Sequence, residues 1–263
     1  MQPFISRQER FDVVGSTNDV VRGWLADGTP EVCLAVADRQ SAGRGRDGRT
    51  WTAPPASALL LSLGFRPAWL RPDRVWRLAA IVSLAMAEAG EHVARLPSGT
   101  IALKWPNDLV VEAADGVKKL AGVLGETDGL GTADPRAVIG IGVNGDWARD
   151  DYPADLADAM TSLAVLASGP IDHDALLETF LDRLGPRVEA LRQELFDGEA
   201  WSDRQVTTDR DVDLVAADGS RTTVSATGVD LDTGALLADG RSVLVGEITH
   251  VRLTARLPIT GGV

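Results

Sequence analysis

Between residues 101 and 144 the chain passes through four strand-like segments, at 101–105, 109–112, 120–127 and 137–144. Turn chemistry at Pro106-Asn107-Asp108 and Ala114-Asp115-Gly116 separates the first three. A stretch of that kind commits the chain to a central sheet. Upstream, strands are expected at 9–14, 31–38 and 57–65. Ser16 or Thr17 can cap a helix running through Val20, Val21, Trp24 and Leu25 to a stop near Asp27-Gly28. Pro72-Asp73 opens a longer helix with Val75, Leu78, Ala79, Val82 and Met86 on one face. A further helical stretch over 172–195 contains Gly185-Pro186, where a kink or break is expected. Beyond residue 205 the pattern becomes short strands with turns at Asp218-Gly219, Asp232-Thr233-Gly234 and Asp239-Gly240, the signature of a small β-barrel. The expectation is an α+β fold. A mixed sheet flanked by helices occupies 1–205, and a small closed or nearly closed barrel occupies 206–263.

Composition narrows the function. A net charge of −12 over 263 residues repels nucleic acid and anionic membrane, so any positive loop is a local device for a small anion. The single cysteine, Cys33, permits no internal disulfide and sits in an apolar strand, where it reads as a small hydrophobe. His92, His173 and His250 have no metal-ligand spacing, so no protein-held metal is expected. MQPFISRQER lacks a signal-type apolar stretch, and the uncharged run over 78–87 is too short to span a bilayer. A cytoplasmic protein is expected. Of 26 basic residues only three are lysines, Lys104, Lys118 and Lys119, which suggests that these sites need an amine.

The candidate chemistry begins at residues 43–51, GRGRDGRTW. Gly43, Gly45 and Gly48 let the backbone approach a ligand, while Arg44, Arg46 and Arg49 offer planar forks to carboxylate or phosphate. The loop is either an anion site or a solvated basic segment. Trp51 either stacks on a purine or anchors the loop. In Lys104-Trp105-Pro106-Asn107-Asp108, Asn107 can read a nucleobase or sugar and Asp108 can serve Mg²⁺ or orient a donor, or the segment is simply a turn. Strand alternation puts Lys118 and Lys119 on opposite faces, one of them solvated and the other a cation held against the sheet. The glycines of Gly140-Ile141-Gly142-Val143-Asn144 leave space for a flat ligand or relieve crowding.

Taken together, these segments resemble the biotin–protein ligases. Gly15-Ser16-Thr17-Asn18, Gln40 with residues 43–51, KWPND at 104–108, KKLAG at 118–122 and GIGVN at 140–144 match that family in order and spacing. Thr227-Gly228-Val229-Asp230, Gly234-Ala235-Leu236-Leu237 and Gly246-Glu247-Ile248 resemble its SH3-like C-terminal domain. The chain departs from the family's repressor members in showing no N-terminal winged helix, which agrees with its acidic charge in giving no role on DNA.

The resemblance implies a class II synthetase-like catalytic fold and two reactions. Biotin is activated by ATP with Mg²⁺ as biotinyl-5'-AMP, then passed to a lysine on the biotin carboxyl carrier domain of an acyl-CoA or pyruvate carboxylase. It implies biotin contacts at Ser16, Thr17, Asn18, Gln40, Gly43, Arg44, Gly45, Arg46, Lys119 and Gly122, with Ile139 and Ile141 helping to cover the rings. Arg44, Arg46, Arg49, Trp51, Lys104, Asn107 and Asn144 would hold ATP and the adenylate, and Lys119, Arg46 and Asp108 would be catalytic. Two rival readings share the residues. A lipoyl or octanoyl transferase working through a thioester would need a nucleophilic cysteine, and a non-enzymatic biotin sensor would have no need of Lys119.

Overall fold

The computed structural model describes residues 4–248 and 250–253. Strands β1 (Arg7–Val14), β2 (Cys33–Gln40), β3 (Ala58–Phe65), β4 (Ala102–Lys104), β5 (Asp108–Ala113), β6 (Gly116–Asp128) and β7 (Arg136–Asn144) form one sheet. Its order is β1-β2-β3-β7-β6-β5-β4. Helix α1 (Thr17–Ala26) connects the parallel pair β1 and β2, as a parallel crossover requires. Every other neighbouring pair is antiparallel.

Both faces of the sheet are covered, which explains why β3, ALLLSLGF, is buried along its whole length. Helices α2 (Trp76–Val93) and α4 (His173–Arg192) pack with Leu34, Val36, Leu59, Leu61, Leu63, Ile139 and Ile141 in the main core. Helix α1 covers the other face, where Val21, Trp24 and Leu25 pack with Cys33, Ala35 and Val138. The seat of α1 depends on Gly64: a Cβ there would lie 2.6 Å from both Cys33 Sγ and Val21 Cγ1. Asp172 caps α4 by accepting from Asp174 N at 2.9 Å and Ala175 N at 3.0 Å. Short helices α3 (Leu163–Ala167) and α5 (Gly198–Asp203), which the sequence pattern did not announce, lead to and from α4.

Two expectations need correction. Helix α4 runs unbroken through Pro186, because its buried stripe of Leu176, Leu177, Phe180, Leu181, Leu184, Val188 and Leu191 holds it against the core. Tertiary packing here outweighs one lost backbone bond. Lys118 and Lys119 do face opposite ways, but Lys118 is not solvated. Its Nζ donates to the Asp158 carbonyl at 2.5 Å and pairs with Asp115 at 2.8 Å.

The C-terminal strands β8 (Arg210–Val215), β9 (Arg221–Val229), β10 (Leu236–Ala238), β11 (Arg241–Val243) and β12 (His250–Leu253) form an antiparallel sheet of order β11-β10-β9-β8-β12. This is the expected SH3-like unit, although no ladder joins β11 to β12 among the described residues. Buried Trp105 anchors it: the indole Nε1 donates to Gly234 O at 2.8 Å and the backbone N to Thr207 Oγ1 at 2.8 Å. Arg74 and Arg77, at the start of α2, donate to the Asp232 and Leu231 carbonyls at 2.7 and 3.0 Å.

Gly64→Ala is expected to destabilise the fold by about 1–3 kcal/mol through overpacking under α1. Adding Cys33→Ala should return part of that loss, because the sulfur is one of the two atoms in the way. Urea unfolding of the two variants checks this, and wild-type stability in Gly64→Ala refutes the packing account.

Candidate functional site

The site lies on the α1 side of the sheet, where β6 and β7 present glycine. Across the strands the register runs Ser62↔Gly140, Gly142↔Gly122 and Gly122↔Asp108. Each bare position is filled from outside the strand. A Cβ on Gly140 would lie 2.2 Å from Asn18 Oδ1, and one on Gly142 would lie 2.6 Å from the Trp51 indole. One on Gly122 would lie 3.1 Å from Trp51 and 3.2 Å from Lys119 Nζ. The glycines therefore make room for the site's own side chains. Ile139 and Ile141, expected to help cover the rings, belong to the main core, and of the two Ile141 also borders the cavity.

A cavity of about 1200 Å³ opens here. Ser16, Thr17, Asn18, Gln40, Arg44, Gly45, Arg46, Arg49, Trp51, Lys104, Asn107, Asp108, Lys119, Gly122 and Asn144 all border it. Gly43 stands behind the wall, at the neck of the glycine loop. The loop is a tight hairpin: Trp51 N donates to Gly43 O at 2.9 Å and Gly45 N to Arg49 O at 2.7 Å. A Cβ on Gly43 would fall 2.5 Å from the Trp51 carbonyl, so only glycine fits there.

One end of the cavity is neutral and rich in hydrogen bonds. Gln40 Oε1 accepts from Thr17 N at 2.7 Å and Thr17 Oγ1 at 3.1 Å. Ser62 Oγ, fully buried, lies 2.7 Å from Thr17 Oγ1 and 2.6 Å from Asn18 Oδ1. Ser16 occupies the N-cap position of α1 but makes no capping bond with its side chain. Ser62 was missed from the sequence, where its one signal was a hydroxyl inside an otherwise apolar strand.

The other end is cationic. Lys119 Nζ meets Asp108 Oδ1 at 2.6 Å, and Lys104 Nζ lies 3.9 Å from Asp108 Oδ2. One carboxylate thus serves two ammonium groups. Burial holds the Lys104 amine below its ordinary range against the pull of Asp108. Lys119 is also clamped at the backbone: its N donates to Ala159 O at 2.8 Å and its carbonyl accepts from Thr161 N at 2.9 Å. Asn144 ties the same segment by donating to Thr161 O at 2.9 Å. Asn107 braces the turn, donating from Nδ2 to Val123 O at 2.8 Å.

The loop arginines divide. Arg44 grips Asp19 at 2.7 and 2.8 Å and lies 3.4 Å from Glu126, partners that raise its pKa. Arg46 reaches the segment between β11 and β12, donating to Val245 O and Ile248 O at 3.0 Å each, and its burial lowers its pKa. Arg49 lines the cavity. Asp19 and Glu126 were not singled out in the sequence, since isolated acids on a helix and at a strand end read as surface charge.

Fold and site define a ligand pocket with a neutral recognition end and a cationic end in which two amines share one carboxylate. The chain belongs to the biotin/lipoate A/B protein ligase family, whose model matches residues 11–144. It is 31% identical over 170 residues to the bifunctional ligase/repressor BirA of Bacillus spizizenii, covering 65% of this chain and 50% of that one. It is 30% identical over 253 residues to the biotin–[acetyl-CoA-carboxylase] ligase of Mycobacterium tuberculosis, covering 92% and 90%. The chain thus spans about half the length of the Bacillus relative and most of the mycobacterial one. Among solved structures, a biotin protein ligase from Aquifex aeolicus in complex with biotin and ATP shares the fold at a TM-score of 0.75. That pair is 24% identical over 96% of this chain and 100% of the other. No helix among the described residues is long and apolar enough to cross a membrane.

Asp108→Asn removes the one carboxylate that pairs with Lys104 among the described residues and leaves two ammonium groups without it. A loss of about 1–3 kcal/mol at neutral pH is expected. Lys104 titrates below 10.5 in the fold, so from its folded pKa up to 10.5 the unfolded chain holds the extra proton. Stability of the variant should therefore recover as pH rises through that window. Denaturation midpoints measured from pH 7 to 10.5 check the sign, and a flat profile refutes it.

Proposed function

We propose that the protein is an ATP-dependent biotin–protein ligase, which forms biotinyl-5'-AMP and transfers the biotinyl group to a lysine of a carboxyl carrier domain. The observation that carries this reading is a single cavity with a neutral hydrogen-bonding end and a cationic end, the latter containing Lys119 on Asp108. Ser16, Thr17, Asn18 and Gln40 would read the ureido edge of biotin. Gly45 would let the rings approach the backbone, Gly122 would seat Trp51 and Lys119 beside them, and Gly43 would hold the neck of the loop. Trp51 over the glycine strip and Asn107 at its edge would bracket the adenosine, with Asn144 setting the wall beside it.

In the first step a biotin carboxylate oxygen attacks the α-phosphorus of ATP, and the bond to the pyrophosphate oxygen breaks. Two anions must meet, so cations are the main requirement. Lys119 stands at that junction, while Arg46, Arg49 and Lys104 face the phosphates. Arg44 acts there through the loop it anchors. Magnesium would enter as part of the nucleotide: among the described residues no cluster of three metal-binding side chains exists, and Asp108 is engaged by Lys119. In the second step the carrier ε-amine attacks the acyl carbon and AMP leaves. Asp108 is placed to orient that amine or accept its proton.

The transferase reading loses its nucleophile in the structure. Cys33 is buried beneath α1, and desolvation pushes its thiol up to about 11. We further propose two domains, residues 1–205 and 206–263, and action in the cytoplasm on a carboxylase carrier without any role on DNA.

Exchange of labelled pyrophosphate into ATP tests the proposal, with biotin, lipoate and octanoate as alternative acids. Exchange with biotin alone is expected, and none with any acid overturns the reading. Lys119→Ala should lose exchange by at least about 100-fold, in the range of one preorganised charge-stabilising donor. Its unfolding midpoint should match wild type, and retained turnover removes Lys119 from its role.

A further inference from the structure

The tip of the glycine loop, residues 44–49, buries no apolar side chain. It is held over the cavity at one end by Arg46 on the carbonyls of Val245 and Ile248, and at the other by Arg44. Arg44 closes a ring of four charges with Asp19 and Arg22 of α1 and Glu126 of β6. Within that ring Glu126 alone also touches the neutral end of the site. Its Oε2 accepts from Asn18 Nδ2 at 2.8 Å and from Arg22 Nη2 at 2.6 Å. Asn18 is buried against Gly140, with its Oδ1 on Ser62. The carboxylate does not border the main cavity; it lines a smaller cleft that shares Arg44, Gly45 and Arg46 with it.

From this arrangement we infer that Glu126 is a positioning residue, which holds the glycine loop closed and the Asn18 amide in register for the acid substrate. An ionised carboxylate only accepts hydrogen bonds. Glu126 therefore keeps the Asn18 Nδ2 turned outward and its Oδ1 turned to Ser62, while adding a second anion beside Arg44. The groups of the ring are partly exposed, with side-chain exposures of 27% for Glu126, 35% for Arg44 and 48% for Asp19 and Arg22. Such contacts hold weakly, so the closed loop is poised rather than locked. Asp19 grips Arg44 independently of Glu126, so Glu126→Gln leaves the loop one of its two anions.

The inference rests on the ligase reading only for the identity of the acid. Its test uses Glu126→Gln, with Glu126→Asp as the conservative variant, in the full chain. Two quantities are read: the rate of tryptic cleavage after Arg44, Arg46 or Arg49 without substrates, and the Kd for biotin by calorimetry. Glu126→Gln is expected to speed cleavage and weaken biotin by about fivefold each, the equivalent of about 1 kcal/mol. Its maximal exchange rate should stay within about twofold of wild type, consistent with loss of positioning rather than chemistry. Glu126→Asp should recover part of both effects. Wild-type cleavage in Glu126→Gln overturns the inference, as does faster cleavage with an unchanged Kd. A wild type that binds biotin without exchanging pyrophosphate defeats the ligase reading and leaves both measurements here decisive.

Discussion

The site exists because one strip of the sheet has no side chains. Gly122, Gly140 and Gly142 lie side by side on β6 and β7, facing away from the main core. A methyl group at Gly140 or Gly142 would collide with Asn18 or Trp51, and one at Gly122 would crowd Trp51 and Lys119. The same strands bury Ile139, Ile141 and Val143 on the other face, so the sheet carries its core on one side and its chemistry on the other. Strand alternation makes that division possible.

Polarity across the strip follows from strand order. From β3 to β4 the groups pass from hydroxyls and amides, through glycine, to Lys119, Asp108 and Lys104. A ligand lying across the strands meets neutral recognition first and charge last. Asp108 keeps the charged end tractable, since one carboxylate lies between two buried or half-buried amines. Ion pairs of this kind gain geometry more than stability.

The glycine loop is the least self-sufficient part of this arrangement. Its hairpin is drawn in by Trp51 at its C-terminal end, and its arginines fasten it to α1, β6 and the C-terminal sheet. Arg46 thereby makes the second sheet part of the site's wall, and Trp105 binds the same sheet from below through Gly234. Two sheets separated in sequence are joined through residues of the motifs that line the cavity.

Local pattern determined a good deal by itself. Periodicity and turn residues located β1, α1, β3, α2 and the strands between 101 and 144 to within a few residues. The glycine, arginine and lysine motifs, with the family resemblance they carry, named many of the charged and polar groups bordering the cavity, but not Trp147, Met160, Arg210 or Leu253, which border it too. Those features are legible because each depends on neighbours in the chain: alternation, capping and backbone freedom are local properties. What the tertiary structure alone decided depends on partners far away. The unbroken run of α4 through Pro186 needs the core against which it packs. The burial of Lys118 needs Asp158, and the engagement of Arg44 needs Asp19 and Glu126. Ser62 and Glu126 join the site only because folding brings β3 and β6 against α1. A hydroxyl in an apolar strand and an acid at a strand end carry no sign of it, since their roles come from distance in space and not from order along the chain.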